Sequence, residues 1–182
     1  MFFQAVSLYK ELSRSGNNKA TFYLAKILFD GEAEMEVDMV EAANLLEKII
    51  ESNKTDSKTK AKSLFYLSKV YRKQGHLQNI EKVVSLLKEA ASLENPDAMF
   101  DLSNFYERGL GLARDLKQSV SLLEKASDLN HLDAKLELAK IYENGINGEI
   151  SADLPKSIKL YEQLAEAGLQ EAFIKLTKLK SN

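Results

Sequence analysis

Two histidines, an acidic segment and regularly spaced serines are the side chains of this 182-residue chain whose types could do chemistry. His76 and His131 lie in predicted turns, without the serine or carboxylate neighbours that a nucleophilic triad needs. Ser103 has no base at a fixed spacing, so we interpret it as a packing residue. The chain has no cysteine, which excludes disulfides, thiolate catalysis and cysteine-ligated metals. We therefore predict no catalytic residue and no cofactor.

The acidic segment 30–38 partly matches the ligand pattern of a calcium-binding loop. Asp30, Glu32, Glu34 and Glu41 fall at four ligand positions of an EF-hand. The sixth position is Met35, however, where the sharp turn of such a loop needs glycine. We interpret the segment as a solvated acidic turn leading into a helix, and predict no metal site.

The elements that would position these residues repeat with a period of about 36 residues. In each copy an Ala or Ser is followed four residues later by Leu and then at once by a small or slim residue. The copies start at Ala20, Ser63, Ala98, Ala134 and Ala172. Spacings of four lie on one helix face, which predicts the first helix of a two-helix unit. Two sets of residues are predicted to be buried: the leucines Leu24, Leu67, Leu102 and Leu138, and the small residues Ala25, Ser68, Ser103, Ala139 and Thr177.

A second helix follows in each unit and starts at an Asx side chain that can cap free amides. These caps are Asp38, Asn79, Asp115 and Asp153. A slim residue and then a larger one follow at spacings of four, as in Ala42–Leu46 and Ser157–Tyr161. Glycines that tolerate a left-handed backbone end the first helices: Gly31, Gly75, Gly109 and Gly145. Residues 52–60 and 145–153 carry extra residues and are predicted to be exposed loop insertions.

These units resemble the Sel-1-like repeat, a relative of the tetratricopeptide repeat. The segment 98–130 matches best, with Ala98, Leu102, Tyr106, the Gly109-Leu-Gly111-Leu112 turn and Ala126. Leu112 stands where the family usually has Val, and the second unit has a short turn. The resemblance covers nearly the whole chain. It implies a solenoid that offers an extended surface to another protein.

We therefore expect an all-α fold, a right-handed superhelix of about ten antiparallel helices. The chain is predicted to be one domain, 1–182. Residues 1–16 form a lone second helix and 169–182 a terminal first helix, with full repeats at 17–53, 61–94, 95–130 and 131–168.

Charge and hydropathy narrow the class of partner. The formal net charge is -2, which argues against general nucleic-acid binding. No apolar run is long enough to span a membrane, so we predict no membrane insertion. The N-terminus lacks the basic region of a signal peptide, and the cytoplasm is the expected compartment, with secretion without a cleaved signal as the alternative.

The tetratricopeptide frame places four positions per first helix on a concave groove. In the first two units these are Lys19, Phe22, Lys26, Phe29, Lys62, Phe65, Lys69 and Arg72. In the next two they are Asp97, Phe100, Asn104, Glu107, Asp133, Leu136, Lys140 and Glu143. The groove is thus basic in its N-terminal half and mainly acidic in its C-terminal half, along an apolar column that ends at Ile174. An extended partner with the opposite charge order fits this pattern. The alternative is that the charges are a solvated face and the column is packing between helices.

The function predicted from these features is a non-enzymatic adaptor that holds a partner protein or peptide. The resemblance implies roles in signalling complexes or, in bacteria, in host interaction or envelope regulation. One alternative is a fragment of a larger protein of that kind. Another is a hydrolase, because some cysteine-rich members of the family are linked to β-lactams, but their paired cysteines are missing here.

The two ends differ in how well they are predicted to close the stack. The N-terminal helix brings Phe2, Phe3, Val6 and Tyr9, with no preceding helix to cover them. We therefore expect this end to be the more prone to association, through contact with a second copy of the chain or with a missing neighbouring segment. The C-terminal helix, with Phe173, Leu176 and Leu179 on its apolar side, is expected to be a workable cap.

Overall fold

The computed structural model describes residues 2–31, 36–73, 80–146 and 148–181, excluding the side chains of Phe2, Phe3 and Ser181. It divides into two compact units, Met1–Ala98 (unit 1) and Met99–Asn182 (unit 2). Ten α-helices occupy these described residues: α1 Phe2–Arg14, α2 Asn18–Asp30, α3 Met39–Glu51, α4 Ser57–Lys73, α5 Ile80–Ser92, α6 Pro96–Arg108, α7 Leu116–Asp128, α8 Leu132–Asn144, α9 Leu154–Glu166 and α10 Gln170–Ser181.

Aspartates begin the second helices, as predicted. Asp38 accepts a hydrogen bond from the amide of Glu41, and Asp115 and Asp153 cap α7 and α9 in the same way. Each carboxylate satisfies an amide that the first turn leaves without a partner. The predicted cap Asn79 and the predicted helix end Gly75 lie outside the described residues.

First helices also have caps, which the sequence analysis did not identify. Asn17 caps α2, Asp56 caps α4 and Asn95 caps α6 through their side-chain oxygens. His131 caps α8, since its Nδ1 accepts from the amide of Ala134 at 3.1 Å. His131, one of the two histidines, is therefore an N-cap that stabilises the start of α8.

The core of unit 1 follows the repeat frame. Leu24 and Leu67 are buried on α2 and α4, and Ala42 and Leu46 are buried on α3 between them. α2 packs on α3, α3 on α4 and α4 on α5, and α2 also contacts α4. The prediction that equivalent leucines share a buried layer is confirmed here.

The core of unit 2 follows the same frame. Leu102 and Leu138 are buried on α6 and α8, and Tyr161 is fully buried on α9. The hydroxyl of Ser157 donates to the carbonyl of Ala139 at 2.9 Å, because both residues are small enough for α9 to approach α8 closely. Thr177 alone among the predicted small packing residues is exposed, on the terminal helix α10.

The insertion at 52–60 is only partly the loop that the sequence analysis predicted. α4 already begins at Ser57, and Thr59 is buried. Asp56 accepts from both the amide and the hydroxyl of Thr59, which fixes this extra turn of helix. The polar composition of the insertion concealed a capped helix start.

The second insertion places Gly145 in a tight turn closed by an isolated antiparallel bridge between Ile146 and Ile150. Gly145 has φ +68°, and an added Cβ would lie 2.7 Å from the Ile150 carbonyl oxygen. Gly168 has φ +89° but open space around the Cβ position.

We expect Gly145→Ala to destabilise the protein by at least about 1 kcal/mol more than Gly168→Ala. Both substitutions strain the backbone, but only the first forces the turn apart. Urea unfolding of the two variants measures the difference, and equal losses would show that the turn at Gly145 relaxes freely.

The ends of the chain differ from the prediction in part. Val6 is buried and Tyr9 stacks on Tyr23 at 5.5 Å between ring centroids, whereas the side chains of Phe2 and Phe3 lie outside those described. At the other end Phe173 is 61% exposed, so it does not pack as an element of the cap. The register of α10 turns Phe173 outward, while Leu176 and Leu179 pack against the core of α8 and α9.

Candidate protein-binding surface

The first helices of unit 1 carry the basic half of the predicted groove. Lys19 is exposed and Lys62 and Lys69 are half-buried. Phe65 is half-buried, but Phe22 and Phe29 are only 5% and 6% exposed. The expectation that Phe22 and Phe29 contact a partner directly is therefore wrong, because α4 covers them.

Lysines of α4 lie over the aromatic rings of this surface. Lys69 Nζ is 5.2 Å from the ring centroid of Phe29, 5.6 Å from that of Phe65 and 4.9 Å from that of Tyr66. Lys73 Nζ lies 4.9 Å from the Phe29 ring. An ammonium group over a ring face is attracted by the quadrupole of the ring. Both ammonium groups thus lie against aromatic rings, with Lys69 half-buried and Lys73 still exposed.

Tyr66 joins the aromatic rings of α2 and α4. Its ring meets Phe22 edge-on at 5.3 Å and Phe29 at 5.8 Å. The sequence analysis did not select Tyr66, because it immediately follows Phe65 and the repeat frame assigns it to no groove position. The run Phe65-Tyr66 was the signal that could have identified it.

Two of the predicted cations interact with carboxylates of their own unit. Lys26 Nζ is 2.9 Å from Asp30 Oδ2, an i,i+4 pair on α2. The pKa of Asp56 is lowered, mainly by hydrogen bonds from the amide and hydroxyl of Thr59 and to a smaller extent by the charge of Lys19. Lys62 and Lys69, which rest on rings, are therefore the best placed to meet an external anion.

The corresponding face of unit 2 is more strongly paired within itself. Phe100 stacks on the ring of His131 at 4.9 Å between centroids, and Asn104 donates to the Phe100 carbonyl. Lys140 forms an ion pair with Glu171 at 3.0 Å. Glu107 and Asp133 are exposed, as is Asp97, which belongs to unit 1. Ile174, the last member of the predicted apolar column, is 50% exposed.

The Glu143 carboxylate is bonded to two side chains of its own unit and is not a free acidic group on the surface. Its Oε2 accepts from the Tyr161 hydroxyl at 2.7 Å, and its Oε1 accepts from Lys175 Nζ at 2.9 Å. Leu136, also predicted to line the groove, packs partly buried against the core of α8, α9 and α10. Among the acidic residues predicted for this half of the groove, Glu143 is therefore engaged within the unit, whereas Glu107 and Asp133 are exposed.

Ser103 and Asp30, which the sequence analysis considered for catalysis or metal binding, both form bonds within their own helices. The hydroxyl of Ser103 donates to the Phe100 carbonyl, and the carboxylate of Asp30 pairs with Lys26. Glu32, Glu34, Met35 and His76 lie outside the described residues. Among the residues described, His, Asp and Glu side chains do not form a group of three or more that could hold a metal ion. None of the helices in the described ranges is long and apolar enough to cross a membrane.

A family model described as Sel1 repeat matches the chain at residues 18–54, 96–131 and 132–169. No curated protein sequence matches the chain.

Solved structures match at the level of the fold. A Sel1 repeat protein from Oxalobacter formigenes is 21% identical with a TM-score of 0.79, covering 100% of this chain and 71% of that one. A protective antigen of uropathogenic Escherichia coli strains, with an SLR fold, is 20% identical with a TM-score of 0.78, covering 97% and 36%. An immunity protein from Pseudomonas aeruginosa is 22% identical with a TM-score of 0.61, covering 92% and 59%. The chain thus spans about a third of the antigen. These likenesses confirm the all-α solenoid fold predicted from the sequence.

Proposed function

This chain belongs to the Sel1 repeat family, and we propose that it is a protein-binding module whose first helices in unit 1 hold an acidic segment of a partner protein. Repeats of this family are generally protein–protein interaction modules. The observation that carries the more specific proposal is the placement of Lys62, Lys69 and Lys73 over the aromatic rings of α2 and α4.

The chemistry of this surface favours carboxylates with apolar neighbours. Lysines that rest on rings are oriented before a partner arrives, which reduces the side-chain entropy lost on binding. The half-buried edges of Phe65 and Tyr66 give an apolar residue of the partner a place to pack. Lys19 and Arg72 are exposed on the same two helices and extend the basic character of the surface.

The residues of unit 2 enter this proposal in a secondary role. Asn104 and Glu107 offer polar groups, and Phe100, Leu136 and Lys140 offer partly covered surface, as secondary protein-binding residues on the first helices of unit 2. Their internal hydrogen bonds and ion pairs lower the energy that each can contribute to binding.

A peptide-display selection against the whole chain tests the proposal without a known partner. We expect the selected peptides to combine Asp or Glu with an apolar or aromatic residue. The double variant Lys62→Glu/Lys69→Glu should bind a selected peptide at least about tenfold more weakly at low salt, and its affinity should fall less steeply with salt.

Lys48→Glu/Lys54→Glu is the matched control, since it makes the same charge change at exposed lysines of unit 1 away from the rings. Its peptide affinity should stay close to that of the wild-type chain. Equal losses in both double variants would reduce the effect to net charge, and unchanged binding by Lys62→Glu/Lys69→Glu would overturn the proposed surface.

A further inference from the structure

Unit 2 contains a cleft between α7 and α9, with α8 as its floor. Its volume is about 520 Å³, which lies in the range of small-ligand sites. Leu138 and Tyr142 of α8 and Leu160 of α9 give it an apolar part, and lysines give it a cationic part. It belongs to a different unit from the surface proposed above to bind a partner.

Lys135 is the unusual residue of this cleft. The residue is only 8% exposed, yet it lines the cleft. None of the hydrogen bonds and ion pairs among the described residues gives its ammonium group an acceptor, although its nitrogen is not sealed from solvent. The Lys135 ammonium therefore meets only the solvent of the cleft, and an anion bound there would supply a charged acceptor that the described residues do not.

The repeat frame shows what this position normally contains. In the three preceding repeats, the residue directly after the first alanine or serine is Thr21, Leu64 or Met99, and all three are buried. Among these four equivalent positions, only Lys135 carries a charge. No packing reason requires a lysine there, because leucine and methionine fill the same place in neighbouring units.

Unit 1 has an equivalent cleft of about 400 Å³ that provides an internal comparison. Ser13 lines that cleft, and its hydroxyl shares a 2.9 Å hydrogen bond with the hydroxyl of the buried Thr21, so this pair is satisfied internally. Ser127 and Lys135 hold the same two places in unit 2, and the lysine remains without an acceptor among the residues described.

The other charges of the cleft define the ligand further. Lys156 is engaged with Asp153 at 3.2 Å and lies over the Tyr142 ring, and Glu124 accepts from the Tyr142 hydroxyl. Lys135 and the exposed Lys159 therefore remain for an anion. Asp128, on the opposite wall, can accept from an N–H group of the same ligand.

We propose that this cleft binds a peptide carboxylate carried beside an apolar group, with the carboxylate on Lys135 and Lys159. The apolar group packs on Leu138 and Leu160, and a peptide N–H faces Asp128. The carboxylate has two sources, a free C-terminus or an acidic side chain, and both offer the same chemistry to the lysines.

Small mimics of the two sources test this with the whole chain. In protein with ¹³Cε-labelled lysine, acetyl-leucine represents a C-terminus and acetyl-glutamate α-amide an acidic side chain. We expect one of them to shift the Lys135 signal saturably, with a dissociation constant of about 1–10 mM for so few atoms. Acetyl-leucine amide, which lacks the charge, should not shift it.

Lys135→Met separates binding from folding, because Met99 occupies the same position of the unit in α6. The variant should unfold at a urea midpoint at or above that of the wild type and bind the carboxylate at least about tenfold more weakly. Lys125→Met, at an exposed lysine of α7, should bind as the wild type does.

Three results would overturn the proposal. The first is retention of binding by Lys135→Met. The second is a shift of exposed lysines equal to that of Lys135, which would indicate weak nonspecific pairing. The third is tighter binding of inorganic phosphate than of either carboxylate, which would contradict the ligand class.

Discussion

Leu67→Ala and Leu102→Ala should each lower the free energy of unfolding by about 2–5 kcal/mol, which is the cost of removing a buried side chain and leaving a cavity. Leu67 lies in unit 1 and Leu102 in unit 2, and both are buried in a layer of the repeat. The tightly packed neighbours, such as Leu46 and Ala42 in unit 1, limit how far the structure can collapse into the space. Urea unfolding followed by far-ultraviolet circular dichroism measures the loss.

The controls make the same substitution on helix surfaces of the same units. Leu8 is 53% exposed and Leu132 is 48% exposed, so Leu8→Ala and Leu132→Ala should change the stability by about 0.5 kcal/mol or less. An unfolding midpoint of Leu102→Ala equal to that of the wild type would show that the repeat frame does not define the core.

Glu143→Ala should cost about 1.5–3 kcal/mol, the range for hydrogen bonds to a charged group. The Glu143 side chain is 16% exposed and joins Tyr161 of α9 to Lys175 of α10. Without it, the buried hydroxyl and the ammonium both lose their acceptor. Glu162→Ala is the control: its pair with Lys180 is 2.9 Å long but exposed, and its loss should be small.

The bonds of Glu143 to Tyr161 and Lys175 should also make the stability of the protein depend on pH in the acidic range. Burial alone would raise the pKa of Glu143, but the hydrogen bonds from Lys175 and Tyr161 outweigh burial and lower it from its ordinary value of 4.5. The folded state therefore binds this proton more weakly than the unfolded chain. The stabilisation is present above pH 4.5 and is lost as the pH falls through the lowered folded value. Glu143→Gln should flatten this part of the stability profile, and profiles parallel to the wild type would contradict the assignment.

The repeat spacing contained most of the information about the fold. A leucine four residues after a small residue predicts one buried helix face, and Leu24, Leu67, Leu102 and Leu138 are all buried. The aspartate caps were predictable for the same reason, because a cap acts within one turn of its own helix. Both features depend on local geometry, which one sequence records.

The surface was less predictable because burial depends on how closely neighbouring helices approach. The frame places Phe22 and Phe29 on the groove side of α2, but α4 covers both rings, and spacing does not give that distance. The ion pair of Lys26 with Asp30 could have been read from its i,i+4 spacing. The bonds of Glu143 to Tyr161 and Lys175 join three helices, and no local pattern predicts them.

The helix contacts within each unit have a consequence for the rate of folding. α2, α3, α4 and α5 pack on neighbours along the chain, and so do α7, α8, α9 and α10. Each contact therefore closes only a short loop, so little chain entropy is lost before packing rewards it. Chains with such local contacts typically fold within microseconds to milliseconds. Each unit can thus form its core as its helices leave the ribosome, before later segments exist to compete for the same apolar faces.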